Sequence, residues 1–186
     1  SNAARDSRAW VNGVNANLPP DVSLSWVRTT TDKFHARFSA ISRSYCYTIF
    51  NRPVRSALLT DSRTWIYRPL NIELMQKGAN YLIGEHNFNS YRAVACQANS
   101  PVRTIHSLEV SRNGDEVYIA VRANAFLHHM VRNIAGVLIA IGSGLQQPIW
   151  ADEVLKKEDR TKGGVTAPPE GLALISVEYP DGLLQG

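Results

Sequence analysis

From Leu127 onward, apolar residues recur at Val131, Ile134, Leu138 and Ile141, the three- and four-residue spacing that lines one buried face of a helix. The spacing predicts a helix running from about Leu127 to Gly142, with His128, His129 and Arg132 on its first turns. Arg132 breaks the apolar pattern beside the buried stripe. A guanidinium is costly to take out of water unless a carboxylate or phosphate meets it. This position therefore implies an anionic partner, unless the side chain snorkels from the helix flank to solvent.

Other elements follow from pattern and punctuation. Ser44 to Phe50 is rich in aromatic and β-branched residues and predicts a strand. Asn71 reads as an N-cap, with Glu73 in the first turn, Met75, Ala79, Leu82 and Ile83 on one face, and Gly84 just past the helix end. Thr104–Arg112 and Glu116–Ala123 alternate apolar and polar residues around Asn113-Gly114, a hairpin signal. Pro148 to Lys157 predicts a shorter helix, residues 158–171 a loop, and Leu172 to Tyr179 a last strand. Apart from the short helix, the order is β-α-β-β-α-β, which predicts a ferredoxin-like α+β sandwich with two helices on one face of an antiparallel sheet.

That unit occupies residues 33–186. Residues 4–32 include Trp10, Val11, Leu24, Trp26 and Val27, too apolar for a linker, and read as the end of a preceding α/β domain whose start is missing. Ser1-Asn2-Ala3 reads as the remnant of a cleaved tag.

Composition narrows the function classes. At 186 residues, 44% hydrophobic, the chain suits one compact domain or one domain plus part of another. Its longest apolar stretch, Ile134 to Ile141, is too short to cross a bilayer. Cys46 and Cys96 have no metal spacing and are expected to be small buried side chains in a reducing compartment, hence a cytoplasmic protein. The five histidines show no ligand spacing. His128 and His129 are adjacent and would point about 100° apart on a helix. No metal is expected, and the pair reads as RNA contacts or helix-cap donors.

The charge is the more specific signal. Of the 20 basic residues, Arg37, Arg43, Arg52, Arg55, Arg63 and Arg68 fall in one window in which Asp61 is the only acid. Arginine is suited to bidentate phosphate contacts and to stacking on bases. The block therefore points to an anionic partner such as nucleic acid, or to a subunit contact.

Five segments occur in a telling order: Val14-Asn15-Ala16-Asn17-Leu18-Pro19, Phe34-His35-Ala36-Arg37-Phe38-Ser39-Ala40, Arg43-Ser44-Tyr45-Cys46-Tyr47, the histidine-pair segment Phe126–Asn133, and Glu170-Gly171-Leu172. Together they resemble the bacterial tRNA pseudouridine synthase A family over essentially the whole chain after the first residues. The resemblance implies an enzyme that isomerises uridines at positions 38–40 of the tRNA anticodon arm, as a homodimer, without metal or nucleotide cofactor. It further implies that Tyr45 contacts the target base, that Arg132 pairs with a nucleophilic aspartate, and that Leu172 is the apolar support of the pocket. His35, Arg37, Arg43, His128 and His129 become the expected tRNA contacts.

One motif of that family is missing. The nucleophilic aspartate belongs to an Arg-Thr-Asp-Ala-Gly-type loop that precedes the Val-Asn-Ala-Asn-Leu-Pro segment, and no aspartate here has that context. The chain thus reads as the C-terminal part of such an enzyme, expected to be inactive alone. The alternative is a non-catalytic RNA-binding or dimerisation module of ferredoxin-like fold. Against the binding module, neither hairpin strand carries the aromatic Arg/Lys-Gly-Phe-type segment of RNA-recognition domains.

Overall fold

The computed structural model describes residues 5–183, so the Ser1-Asn2-Ala3 remnant lies outside the described residues. The chain divides into two compact units, one of residues up to Ala40 together with those from Tyr179 onward, the other Ile41–Glu178.

In the first unit, helix α1 spans Ser7–Asn15, and the Asp6 side chain caps it by accepting from the Ala9 N–H at 2.6 Å. Asn15 clamps the returning chain at Leu24, donating to its carbonyl at 2.9 Å and accepting from its N–H at 2.7 Å. Asn17 donates to the Gly13 carbonyl. Two asparagines of the first resembling segment thus hold backbone turns. Sequence reading had not identified α1, because its apolar residues are too few to write a full helical stripe.

The second unit is a mixed α+β arrangement around a six-stranded sheet. In chain order it contains β1 (Ser42–Asn51), β2 (Thr64–Ile66), α2 (Ile72–Asn80), β3 (Gly84–Asn87), β4 (Val102–Asn113), β5 (Glu116–Ala123), α3 (Met130–Gly142), α4 (Trp150–Lys157) and β6 (Leu172–Glu178). The order across the sheet is β2-β1-β5-β4-β3, and β6 also pairs with β1. β1 is antiparallel to β5 and to β6, and its last residues run parallel to β2. The hairpin of β4 and β5 turns at Asn113-Gly114 as its sequence predicts, with Gly114 at φ +57°.

One face of the sheet is buried by the helices. Tyr47 and Ile49 of β1, Val117, Ile119, Val121 and Ala123 of β5, and Ile105, Leu108 and Val110 of β4 form a core with Met75 and Ala79 of α2 and the stripe of α3. That stripe is the predicted one: Leu127, Val131, Ile134, Leu138 and Ile141 are all buried. No helix among the described residues is long and apolar enough to cross a membrane.

Several boundaries differ from expectation for local reasons. α3 begins at Met130 rather than Leu127, because His129 sits at φ +61° in the left-handed region and stops the helix from extending backwards. α2 has its predicted Asn71 cap, which accepts from the Leu74 N–H at 3.0 Å, but ends at Asn80. Gly84, at φ +105°, instead opens β3, and Ile83 is exposed while Leu82 is buried. β2 and β3 are three and four residues long, too short for a period to be read. The cysteines are free and only half-buried, not buried, since Cys46 lies on the sheet face away from the helices and Cys96 in a loop.

Candidate functional site

The site grows from the first turn of α3. Arg132 follows two buried residues, Met130 and Val131, and its own side chain is half-buried. Its Nε donates to the Ala167 carbonyl at 2.7 Å, and its NH1 lies 3.2 Å from His129 Nε2. A guanidinium only donates, so the imidazole accepts there and is the neutral form. The His129 pKa is lowered below its ordinary 6.5, first by burial and then by His128, Arg132 and Arg160. No carboxylate lies within ion-pair distance of Arg132 among the described residues. The anionic partner implied by the sequence is thus replaced, within this chain, by a backbone carbonyl and an imidazole.

The segment supplying that carbonyl is held on both sides. Residues 163–171 cross α3 where Gly136 leaves room. A Cβ there would lie 1.8 Å from the Val165 carbonyl oxygen. Farther along, a Cβ on Gly171 would lie 2.5 Å from the Thr48 carbonyl oxygen, so this glycine lets the segment join β1. Asn133, only 2% exposed, ties the segment down: it donates to the Tyr91 carbonyl at 2.7 Å and accepts from Thr166 Oγ1 at 2.6 Å and from Arg160 at 3.1 Å. The Ala167 N–H returns to the Arg132 carbonyl at 3.1 Å. Sequence reasoning missed Asn133. Its signal was a polar residue on the buried side of an apolar helix, next to Arg132.

Tyr45, Tyr47 and Ile49 share the helix-facing side of β1 by the two-residue period. The Tyr45 ring packs against the core and meets Phe126, in the loop that leads to His128 and His129, edge to face at 5.1 Å. Leu172 pairs with Tyr47 across β1 and β6 and is half-buried against the same core. Tyr47 itself is fully buried, and its hydroxyl donates to the Pro168 carbonyl at 2.8 Å and shares a 2.6 Å hydrogen bond with Thr64 Oγ1. Burial pushes its pKa up to about 12, against the opposing pulls of Thr64 and Arg132. Arg132 and Leu172 are therefore linked through Ala167-Pro168 and Tyr47, and Tyr45 lies two residues from Tyr47 on the same face of β1.

The expected RNA contacts have more local duties. His128 is exposed and lies 4.0 Å from His129, ring to ring, ahead of the helix rather than on it. His129 occupies the N-cap position, but its side chain makes no cap bond, which corrects the reading of the pair as cap donors. Arg43 donates to the Asn124 carbonyl at 2.8 Å. His35 and Arg37 belong to the first unit. There His35 Nδ1 accepts from the Arg37 and Phe38 N–H groups, and Arg37 lies over the Phe38 ring at 5.6 Å. The arginine block is also less positive than its composition suggests: Arg52 meets Asp115 at 3.6 Å and Arg63 meets Glu116 at 2.8 Å. Asp115 lies in the β4–β5 turn and Glu116 opens β5, both far along the sequence.

Comparison with known proteins bears on this arrangement. Residues 79–180 match the family model described as tRNA pseudouridine synthase. Proteins named tRNA pseudouridine synthase A are 55% identical over 177 residues in Methylococcus capsulatus, 56% over 172 in Nitrosococcus oceani and 53% over 176 in Pseudomonas aeruginosa. These alignments cover 95%, 92% and 95% of this chain but 65%, 66% and 62% of the relatives. The chain thus spans about two thirds of their length and corresponds to a C-terminal portion of them.

Proposed function

The chain belongs to the tRNA pseudouridine synthase family, and on that premise we propose that the whole protein isomerises uridine to pseudouridine at positions 38–40 of the tRNA anticodon arm. The observation that carries this reading is Arg132: a half-buried guanidinium, aimed by a backbone carbonyl and an imidazole, with no carboxylate of its own among the described residues. Such a group is ready to receive an aspartate. The nucleophilic aspartate would come from the third of the relatives' length that this chain does not span.

In this reading the aspartate opens the bond from ribose C1′ to base N1, the base turns, and C1′ is rejoined to C5. The C5 proton leaves and N1 takes up one, so the reaction is an isomerisation with no net loss. Arg132 keeps the aspartate ionised and oriented, since an opposite charge within about 4–6 Å favours the charged form. Tyr45 stacks on the extruded base, and its hydroxyl serves the proton transfer at C5. Leu172 keeps the floor of the pocket apolar. No step calls for a metal or nucleotide cofactor.

Arg43, His128 and His129, together with His35 and Arg37 of the first unit, are proposed to touch the tRNA. The protein is read as a homodimer of the cytoplasm, where its substrate is. The second unit, read as ferredoxin-like, is supported by the order β6-β1-β5-β4 with α2 and α3 as its two crossing helices. The domain division, residues 4–32 as the end of a preceding domain and 33–186 as the catalytic one, rests on sequence pattern alone.

Tritium release from C5-labelled, unmodified tRNA tests the proposal. The whole protein should release tritium, and the 186-residue chain alone should not. Release by the chain alone would make one of its own aspartates the nucleophile and overturn the division of labour. Failure of the whole protein would overturn the function.

A further inference from the structure

The loop joining β1 to β2, residues 52–63, borders a cavity of about 230 Å³ that the catalytic reading does not use. Phe50, Leu59 and Trp65 give it apolar walls, and Arg55, Thr60 and Glu170 supply polar groups. Trp65 is 41% exposed, but its ring is fixed, because its Nε1 donates to the Arg52 carbonyl at 2.9 Å. That bond occupies the only polar atom of the indole and leaves a rigid aromatic surface facing open space. Arg55 is exposed and makes no hydrogen bond or ion pair among the described residues, whereas its neighbour Arg63 is neutralised by Glu116.

The cavity also touches the candidate site. Thr64 and Pro168 line it, and both are bonded to the Tyr47 hydroxyl. Pro168 follows Ala167, whose carbonyl holds Arg132. An aromatic wall, a fixed indole and one unspent guanidinium are complementary to a nucleotide, whose base has a stacking face and whose phosphate is anionic. Glu170, also in the lining, is a carboxylate that accepts from base N–H groups and repels phosphate, which assigns the phosphate to Arg55 rather than to Glu170.

We propose that this cavity is a subsite for the nucleotide next to the target uridine in the RNA chain, with its base stacked on Trp65 and its phosphate on Arg55. The inference rests on the tRNA reading given above. Turning the target base out of its stack leaves its neighbour unstacked on one side, and this pocket replaces the lost partner with Trp65.

The probe is pentauridylate, titrated into the 186-residue chain while tryptophan emission is followed. Binding should quench emission, and Trp65→Phe should remove that quench although Trp10, Trp26 and Trp150 remain. Arg55→Ala should weaken binding on the order of tenfold and make the plot of log affinity against log salt shallower by roughly 0.7, the loss of one phosphate contact on a single strand. Arg55→Lys should keep the slope. Because Arg55 is exposed and makes no hydrogen bond or ion pair among the described residues, its variants report binding rather than folding. A quench that persists in Trp65→Phe, or an affinity and slope unchanged in Arg55→Ala, overturns the subsite. Quenching that follows protein concentration without RNA assigns the pocket to a second copy and overturns it too. Failure of the whole protein to isomerise tRNA would instead sink the functional reading, and the oligonucleotide titration separates the two outcomes.

Discussion

Arg132 and Ala167 are joined by two reciprocal hydrogen bonds: the guanidinium Nε donates to the Ala167 carbonyl at 2.7 Å, and the Ala167 N–H donates to the Arg132 carbonyl at 3.1 Å. The pair fixes both the side chain and the segment that aims it. In the proposed reaction this aim matters more than the charge.

Arg132→Lys, made in the whole protein, keeps a positive charge but loses the planar fork and the Nε–H that reaches Ala167. Single-turnover isomerisation of tRNA should slow on the order of 10²-fold or more, the scale of a misplaced catalytic group. The dissociation constant for tRNA should change little. Weakened binding with an intact single-turnover rate would make Arg132 a phosphate clamp instead.

Asn133→Leu keeps the shape of a buried side chain and removes three hydrogen bonds, to Tyr91, Thr166 and Arg160. Each buried polar group left without a partner costs about 1–3 kcal/mol. Urea unfolding of the 186-residue chain should show a lower midpoint with an unchanged slope. An unchanged midpoint would show that Asn133 does not hold the 163–171 segment.

His129 gives a pH dependence with a defined sign. Its folded pKa lies below the ordinary 6.5, with burial the largest cause. The contribution to stability is therefore fully present above that ordinary value and is lost as pH falls through the folded one. Protonation also removes the acceptor that Arg132 NH1 uses. The imidazole signals in an NMR titration should place the His129 midpoint below 6.5, and the isomerisation rate of the whole protein should fall on the acid side. In Arg132→Met the midpoint should rise only part of the way, since burial remains. A midpoint at or above 6.5 in the unsubstituted protein would refute the account.

Tyr47 acts at the other end of the scale. Burial raises its pKa from 10.0 to about 12, so it stabilises the fold below the unfolded value and that contribution disappears as pH climbs between the two. Tyr91 is raised in the same direction by burial and by Asp152. Alkaline difference absorbance should show phenols that ionise only with unfolding, and Tyr47→Phe should remove one of them. An ordinary titration for all the tyrosines would contradict the buried Tyr47–Thr64–Pro168 network.

The long, periodic parts of this chain could be read before its structure. β5 has its predicted bounds, Glu116–Ala123, because alternation and an Asn-Gly turn both mark it. The buried stripe of α3 was legible for the same reason. Its start was not, since the left-handed backbone of His129 leaves no trace in hydrophobic period. The arginine block misled in part, because Asp115 and Glu116 reach Arg52 and Arg63 from the next hairpin and sequence distance hides such pairing. At the site, Tyr45, Arg132 and Leu172 were singled out by motif. The residues that place the segment holding Arg132, namely Asn133 and the two glycines Gly136 and Gly171, look like filler in a one-dimensional pattern.

The acceptor for the Arg132 Nε belongs to the main chain, and so no single substitution can delete it. Side chains along residues 163–171 that make no hydrogen bond can drift while the guanidinium stays aimed, provided the path of the backbone survives. The constraint falls on positions that make no contact with substrate in the proposed reaction. At Gly136, even one added methyl would overlap the Val165 carbonyl. Mutational tolerance around this site should therefore be uneven, with permissive side chains along the crossing segment and intolerant glycines behind it.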